Sequence, residues 1–308
     1  MKEHLTEPIE QKSAGAGALT DKVKALVELM KLRLSMLVAI SAQFGYAVAA
    51  GTDTQWPQLL MVGFTALVLT GASNTLNQLF EKEYDAQMKR TAGRPMPTGR
   101  VTLAEGLIFA VALAVLAIVL LGVWFNLPAA LLGIIALLSY AFVYTPMKRM
   151  SSFCVFIGAI PGGLPPLIGW VAFTGYIGLE GLILFAFQFL WQFPHFWSIA
   201  WLLDEDYQRA GFKMLPSASG KSRFTAGMIL LYTLSLIPMA LFPLMSGMSG
   251  WVATVVLGLL GVVFAIPAFR LYRSQEAKFA RQVMFMSFFY LPLSQATLLI
   301  GWLAISSL

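Results

Sequence analysis

Apolar positions fall into nine long blocks, at about 34–51, 58–80, 103–124, 128–145, 153–174, 181–203, 225–246, 251–269 and 283–305. Each is close to the ~20 residues a helix needs to cross ~30 Å of hydrocarbon. None shows the short alternation of apolar and polar residues that marks a transmembrane strand. The pattern predicts an all-α polytopic membrane protein with nine transmembrane helices. Residues 1–32 form a polar N-terminal tail, and 33–308 a single membrane domain. Composition agrees: 58% of the 308 residues are hydrophobic and 12% charged, about half the charge of a soluble domain.

Charge then orients the helices. Lys2, Lys12, Lys22, Lys24, Lys31 and Arg33 precede or open the first block. Further basic residues follow blocks two, four, six and eight. The connections after blocks one, three, five and seven contain none, and neither does the C-terminal end. By the positive-inside rule the N-terminus is expected to be cytoplasmic and the C-terminus on the other side. The first thirty residues contain Glu3, Glu7, Glu10, Asp21 and Glu28, which fits neither a signal peptide nor an organelle transit peptide. A bacterial plasma (inner) membrane is the expected location.

The two longest connections, 81–102 and 204–224, fall on the same expected face, and both carry carboxylates. Asn77, Glu81 and Asp85 are spaced four apart, so a continuing helix places them on one face. Two carboxylates and an amide are hard oxygen donors of the kind Mg²⁺ takes. Lys89, Arg90, Arg94 and Arg100 follow, among turn-forming Gly93, Pro95, Pro97 and Gly99. Basic side chains facing a carboxylate-held Mg²⁺ would clamp a diphosphate; a solvated basic loop is the plainer alternative. The second connection repeats the theme with Asp204, Glu205 and Asp206, then Arg209, Lys213 and Lys221. Two acidic helix ends on one face suit two Mg²⁺ ions bridged by a diphosphate.

Inside block six, His195 lies eleven residues before Asp206 and seven after Gln188. That spacing aligns all three on one helical face unless Pro194 kinks it. An intramembrane histidine is a functional candidate, with a hydrogen-bonded structural role as the alternative. Block five holds four glycines and three prolines between 158 and 169. It reads either as close helix packing or as a broken helix lining a cavity. The lone Cys154 excludes an intrachain disulfide and a thiolate cluster and reads as a small apolar helix residue.

These motifs resemble the UbiA-type intramembrane prenyltransferases. Asn77-Gln78, Glu81, Asp85 and MKRTAGRPMPTG at 88–99 are similar to the first motif of the protohaem IX farnesyltransferase (haem O synthase) subfamily. YTPMKR at 144–149, GAIPGGLPPLIGW at 158–170, WQFPHF at 191–196 and DYQRAGFKML at 206–215 are similar to its other motifs. The chain departs from the superfamily pattern at Gln78 and Glu81, where aspartate is common, and at Ala210, which leaves Asp206 without a second aspartate four residues away.

The resemblance implies a UbiA-like bundle that transfers a farnesyl group from farnesyl diphosphate to a vinyl group of haem B, with water addition. It implies Mg²⁺ held by Asn77, Glu81, Asp85 and Asp206, which are also the catalytic candidates. Lys89, Arg90, Arg94, Lys148, Arg149 and Lys213 would hold the diphosphate. His195, Gln192 and Tyr144 would meet the haem, with Tyr140, Trp191, Phe196 and Trp197 shielding the cation. The implied partners are the two substrates, the lipid bilayer and a downstream haem A synthase or oxidase assembly factor, with no nucleic acid. A related enzyme acting on a quinone precursor is the nearest alternative. A cation channel would need a polar pore, and blocks three, four and eight offer almost no polar residues.

Overall fold

Each apolar block is a helix in the computed structural model, which describes residues 12–306 apart from Ala218, and side chains from residue 18 to 305. Lys2, Glu3, Glu7 and Glu10 of the expected tail lie outside the described residues. Nine helices among those described are long and apolar enough to cross a membrane.

A first helix, α1 (Lys12–Leu29), precedes the membrane set. Leu32–Ala50 (α2), Trp56–Phe80 (α3), Leu103–Leu120 (α5) and Leu127–Leu138 (α6) follow, with the short α4 (Lys82–Asp85) after α3. Helix α6 runs on through one π-turn, Ser139–Tyr144, into α7 (Thr145–Met150). The apolar pattern stops at 145 because the charged pair Lys148-Arg149 interrupts it. Pro146 lies just after the π-turn, in the first residues of α7.

The second half comprises α8 (Cys154–Thr174), α9 (Leu179–Leu202), the short α10 (Asp204–Arg209), α11 (Arg223–Met239), α12 (Leu241–Met245), α13 (Trp251–Ser274) and α14 (Ala277–Ser306). Helix α14 starts several residues before its apolar block because Lys278 and Arg281 form its exposed base.

Local chemistry sets several ends. Thr102 and Glu105 form a reciprocal capping box on α5. Asn126 caps α6 by accepting from the Ala129 amide, and its own amide donates to Val171 and Ala172 carbonyls of α8. Helix α2 packs between α3 and α8. Helix α9 joins α8 to α11 and α14, and a contact between α14 and α2 closes the ring.

Exposure separates lining from lipid. Ile108, Val111, Val115 and Val119 of α5 are exposed, as expected for a helix on the acyl-chain boundary. Helix α8 is buried along most of its length. Despite Pro161, Pro165 and Pro166 it is one continuous helix, so close packing explains its small residues. A Cβ on Gly169 would lie 1.9 Å from the Ala42 carbonyl oxygen, and one on Gly45 would lie 1.9 Å from that of Pro166. The two glycines let α2 and α8 touch backbone to backbone.

Candidate active site

The first acidic motif forms where α3 kinks. Glu81 leaves helical geometry (φ −99°, ψ 8°). Helix-type bonds nevertheless cross the kink, from the Glu81 amide to Asn77 (3.0 Å) and from the Asp85 amide to Glu81 (2.7 Å). The spacing of four therefore keeps Asn77, Glu81 and Asp85 on one face. All three are buried, Asp85 completely.

Buried carboxylates need partners, and both have them. Lys148 Nζ lies 2.8 Å from Glu81 Oε1. Arg94 Nη1 donates to both oxygens of Asp85, at 2.8 and 2.7 Å. The loop after α4 curls back to deliver Arg94, its turn fixed by the Thr91 hydroxyl on the Asp85 carbonyl (2.8 Å). Asn77 donates to Thr145 Oγ1 (3.2 Å), which ties α3 to α7. The Lys148 ammonium also lies 4.7 Å from the Tyr144 ring centre and 5.8 Å from that of Phe212, within cation–π range.

The second acidic motif has the same construction. Helix α9 ends at Leu203 with φ −105° and ψ 16°, and α10 follows directly. The loop after α10 folds onto the first motif. The Lys213 amide donates to the Lys148 carbonyl (2.6 Å), and the Lys213 ammonium to the Met150 carbonyl (3.3 Å). Phe212 lies between Tyr84 and Tyr207, ring centres 6.0 and 6.2 Å away. Arg149 stacks on Tyr84 and donates to its hydroxyl. Cys154, fully buried, packs against this loop at the Lys213 carbonyl and Met214.

Tyr84, Tyr207, Phe212, Lys148 and Lys213 thus join the acidic segments at one end of the bundle. The candidates differ in depth. Asp206 is half-buried and paired with Arg209 (3.0 Å). Lys89 and Arg90 are exposed on the loop, outside these pairings. Among the described residues, three or more acidic, histidine or cysteine side chains do not converge on one point.

A polar seam runs from this cluster into the membrane. Gly158 makes room for Tyr144, and Gly162, one turn on, for the Gln192 amide. Gln192 donates to Ala159 (3.1 Å) and Gln188 to Gly162 (2.8 Å). Gln295 of α14 bridges Gln188 and Ser41 of α2. Gln295 and Ser41 escape sequence reading because lone polar residues in apolar blocks carry no spacing signal.

His195 faces α14. Its Nδ1 lies 2.7 Å from Ser287 Oγ, whose single proton goes to the Met284 carbonyl. Among the described residues Nε2 has no hydrogen-bond partner. Trp191 stacks on the ring (centres 4.7 Å apart, 18° between planes) and anchors itself through Nε1 to the Ser287 carbonyl (2.9 Å). Tyr144, an expected haem-contacting residue, lies beneath the Lys148 ammonium, 4.7 Å from its ring centre.

A bundle of this kind, with two kinked acid-bearing helix ends joined by basic and aromatic residues, defines a polytopic membrane enzyme. The model of the UbiA prenyltransferase family matches residues 38–290, and the chain belongs to that family; it is a transferase. A protoheme IX farnesyltransferase from Cytophaga hutchinsonii is 42% identical over 277 residues, covering 90% of this chain and 97% of the relative. One from Solibacter usitatus is 41% identical over 285 residues, covering 89% and 97%. Among solved structures, a digeranylgeranylglyceryl phosphate synthase superposes with TM-score 0.77 at 20% identity, covering 92% of this chain and 99% of that one. A UbiA homolog from Archaeoglobus fulgidus bound to GPP and Mg²⁺ superposes with TM-score 0.65 at 13% identity, covering 92% and 100%. These last two concern the fold.

Proposed function

We propose that this chain transfers the farnesyl group of farnesyl diphosphate to a vinyl group of haem B, yielding a hydroxyethylfarnesyl haem. The carrying observation is the buried quartet Glu81–Lys148 and Asp85–Arg94, with the 206–215 segment folded onto it. The protoheme IX farnesyltransferase relatives at about 40% identity support the acceptor.

The donor set suits Mg²⁺: Asn77, Glu81 and Asp85 offer only oxygen, on one face, and Asp206 lies on the adjoining segment. When bound, the ion would neutralise charge on the departing diphosphate. Lys148 and Arg94 neutralise the carboxylates and are placed to transfer to diphosphate oxygens, which accept strong charge-assisted bonds. That stabilises the leaving group as the allylic C1–O bond breaks and its electron pair goes to diphosphate. Lys89, Arg90, Arg149 and Lys213 ring the approach. The vinyl group attacks the allylic cation, water adds to the resulting cation, and a proton is lost. Tyr144, Tyr140 and Gln192, lining the seam behind the charges, keep bulk water from the farnesyl cation. The charged end faces the cytoplasm, by the placement of the basic residues.

Mass analysis of haems in cells with and without the protein tests this. A haem heavier by a farnesyl group plus a hydroxyl is expected only when the protein is present; transfer to an aromatic acid such as 4-hydroxybenzoate instead would sink the haem assignment.

His195, with its free Nε2, is assigned to the porphyrin, as iron ligand or polar anchor. His195→Ala is expected to weaken haem binding about tenfold or more, leaving farnesyl diphosphate affinity unchanged. Ser287→Ala, which frees the ring to turn, should perturb the haem absorption spectrum. An unaltered spectrum in both variants would make the histidine structural.

A further inference from the structure

We propose that Lys31 is a further anion-binding residue of this site, its ammonium engaging the prenyl diphosphate together with Lys148 and Arg94. The inference rests on the diphosphate reading above. Lys31 joins α1 to α2 in a left-handed conformation, φ 50° and ψ 57°. Among the described residues only one other non-glycine, Gln275, has a positive φ. Lysine has no local preference for this region, so the surroundings enforce it.

The turn is pinned from α3. Gln78 Nε2 donates to the Leu29 carbonyl (2.8 Å) and Asn74 Nδ2 to that of Met30 (3.2 Å). The Ser35 hydroxyl takes Met30 as well (2.7 Å). Asn74 and Gln78 are spaced four apart, on the same stretch of α3 that presents Asn77 and Glu81. One segment of α3 therefore fixes both the acidic face and Lys31. This gives Gln78, which replaces a common family aspartate, a definite task.

The electrostatics fit. Desolvation, followed by repulsion from Arg94 and Lys148, lowers the Lys31 pKa to about 7, against attraction from Glu81 and Asp85. The carboxylates are already committed to Lys148 and Arg94. Among the described residues the Lys31 ammonium has no ion pair or hydrogen bond. A third cation held close to two others is stabilised by an arriving polyanion. Lys31 is half-buried, and its exposed edge borders a groove between α1 and the start of α2 lined also by Lys24, Glu28 and Arg33.

The test uses the full-length chain in nanodiscs and the affinity for inorganic diphosphate with Mg²⁺. Lys31→Asn removes the ammonium while keeping a residue that tolerates left-handed geometry, and Lys31→Gly does the same without a side chain. Both are expected to bind about tenfold or more weakly, with Lys31→Arg close to wild type and Arg33→Gln unchanged. Wild-type affinity in folded Lys31→Asn or Lys31→Gly, alongside lost affinity in Lys148→Met, would overturn the role of Lys31 alone. Wild-type affinity in Lys148→Met would overturn the diphosphate site itself. Weak binding by Lys31→Arg as well as Lys31→Asn would mark the lysine as structural and overturn the proposal.

Discussion

Asp85→Asn is expected to lower turnover by about 10²–10³-fold, the usual loss when one preorganised electrostatic contact to the reacting group is removed. The substitution keeps shape and deletes one charge from a fully buried side chain. It also leaves the Arg94 guanidinium without its anion, and breaking a buried pair this way costs about 3–5 kcal/mol. Stability and chemistry are separable through the double variant Asp85→Asn/Arg94→Gln. With both partners neutral, thermal stability should recover while turnover stays low. Recovery of haem farnesylation in the double variant would show that Asp85 merely neutralises Arg94 and would remove it from the reaction.

Gly169→Leu is expected to abolish the folded state. A Cβ there lies 1.9 Å from a carbonyl oxygen of α2 and 2.7 Å from the Tyr46 amide nitrogen. These are backbone atoms, so no rotamer change relieves the clash and the two helices must separate. The cost exceeds the ~1–3 kcal/mol of ordinary overpacking. Gly258→Leu on α13 is the control, because nothing lies within 4 Å of its added carbon. Thermal unfolding in detergent should show loss of the transition for the first variant and little change for the second. A normal transition for Gly169→Leu would mean that α2 and α8 do not meet in this way.

The helix set was readable because a bilayer imposes one length and one polarity on every crossing segment, and the blocks at 34–51 and 58–80 are interrupted only by short connections. The spacing of Asn77, Glu81 and Asp85 was readable for the same reason: period four on a helix fixes a face, and hydrogen bonds across the Glu81 kink preserve it. What stayed hidden depends on tertiary contact. Lys148 follows an apparent block end, and only the continued helix through α7 turns it onto Glu81. Phe212 and Thr145 have no spacing relation to the residues they meet. Lys31 counted only towards orientation, because its left-handed junction is enforced by amides more than forty positions away. His195 stood out as polar in an apolar helix, but its partner Ser287 is a common residue in a different helix.

The matching kinks at Glu81 and Leu203 make the two halves of the bundle variations on one design, and they are finished to different degrees. In the first, both acids are paired with basic side chains, Glu81 with Lys148 and Asp85 with Arg94. In the second, Asp206 keeps a neighbour's guanidinium at the water boundary, its side chain 17% exposed and that of Arg209 42% exposed. Ordering that exposed rim pair on a ligand is therefore expected to cost more side-chain entropy than engaging the buried pairs.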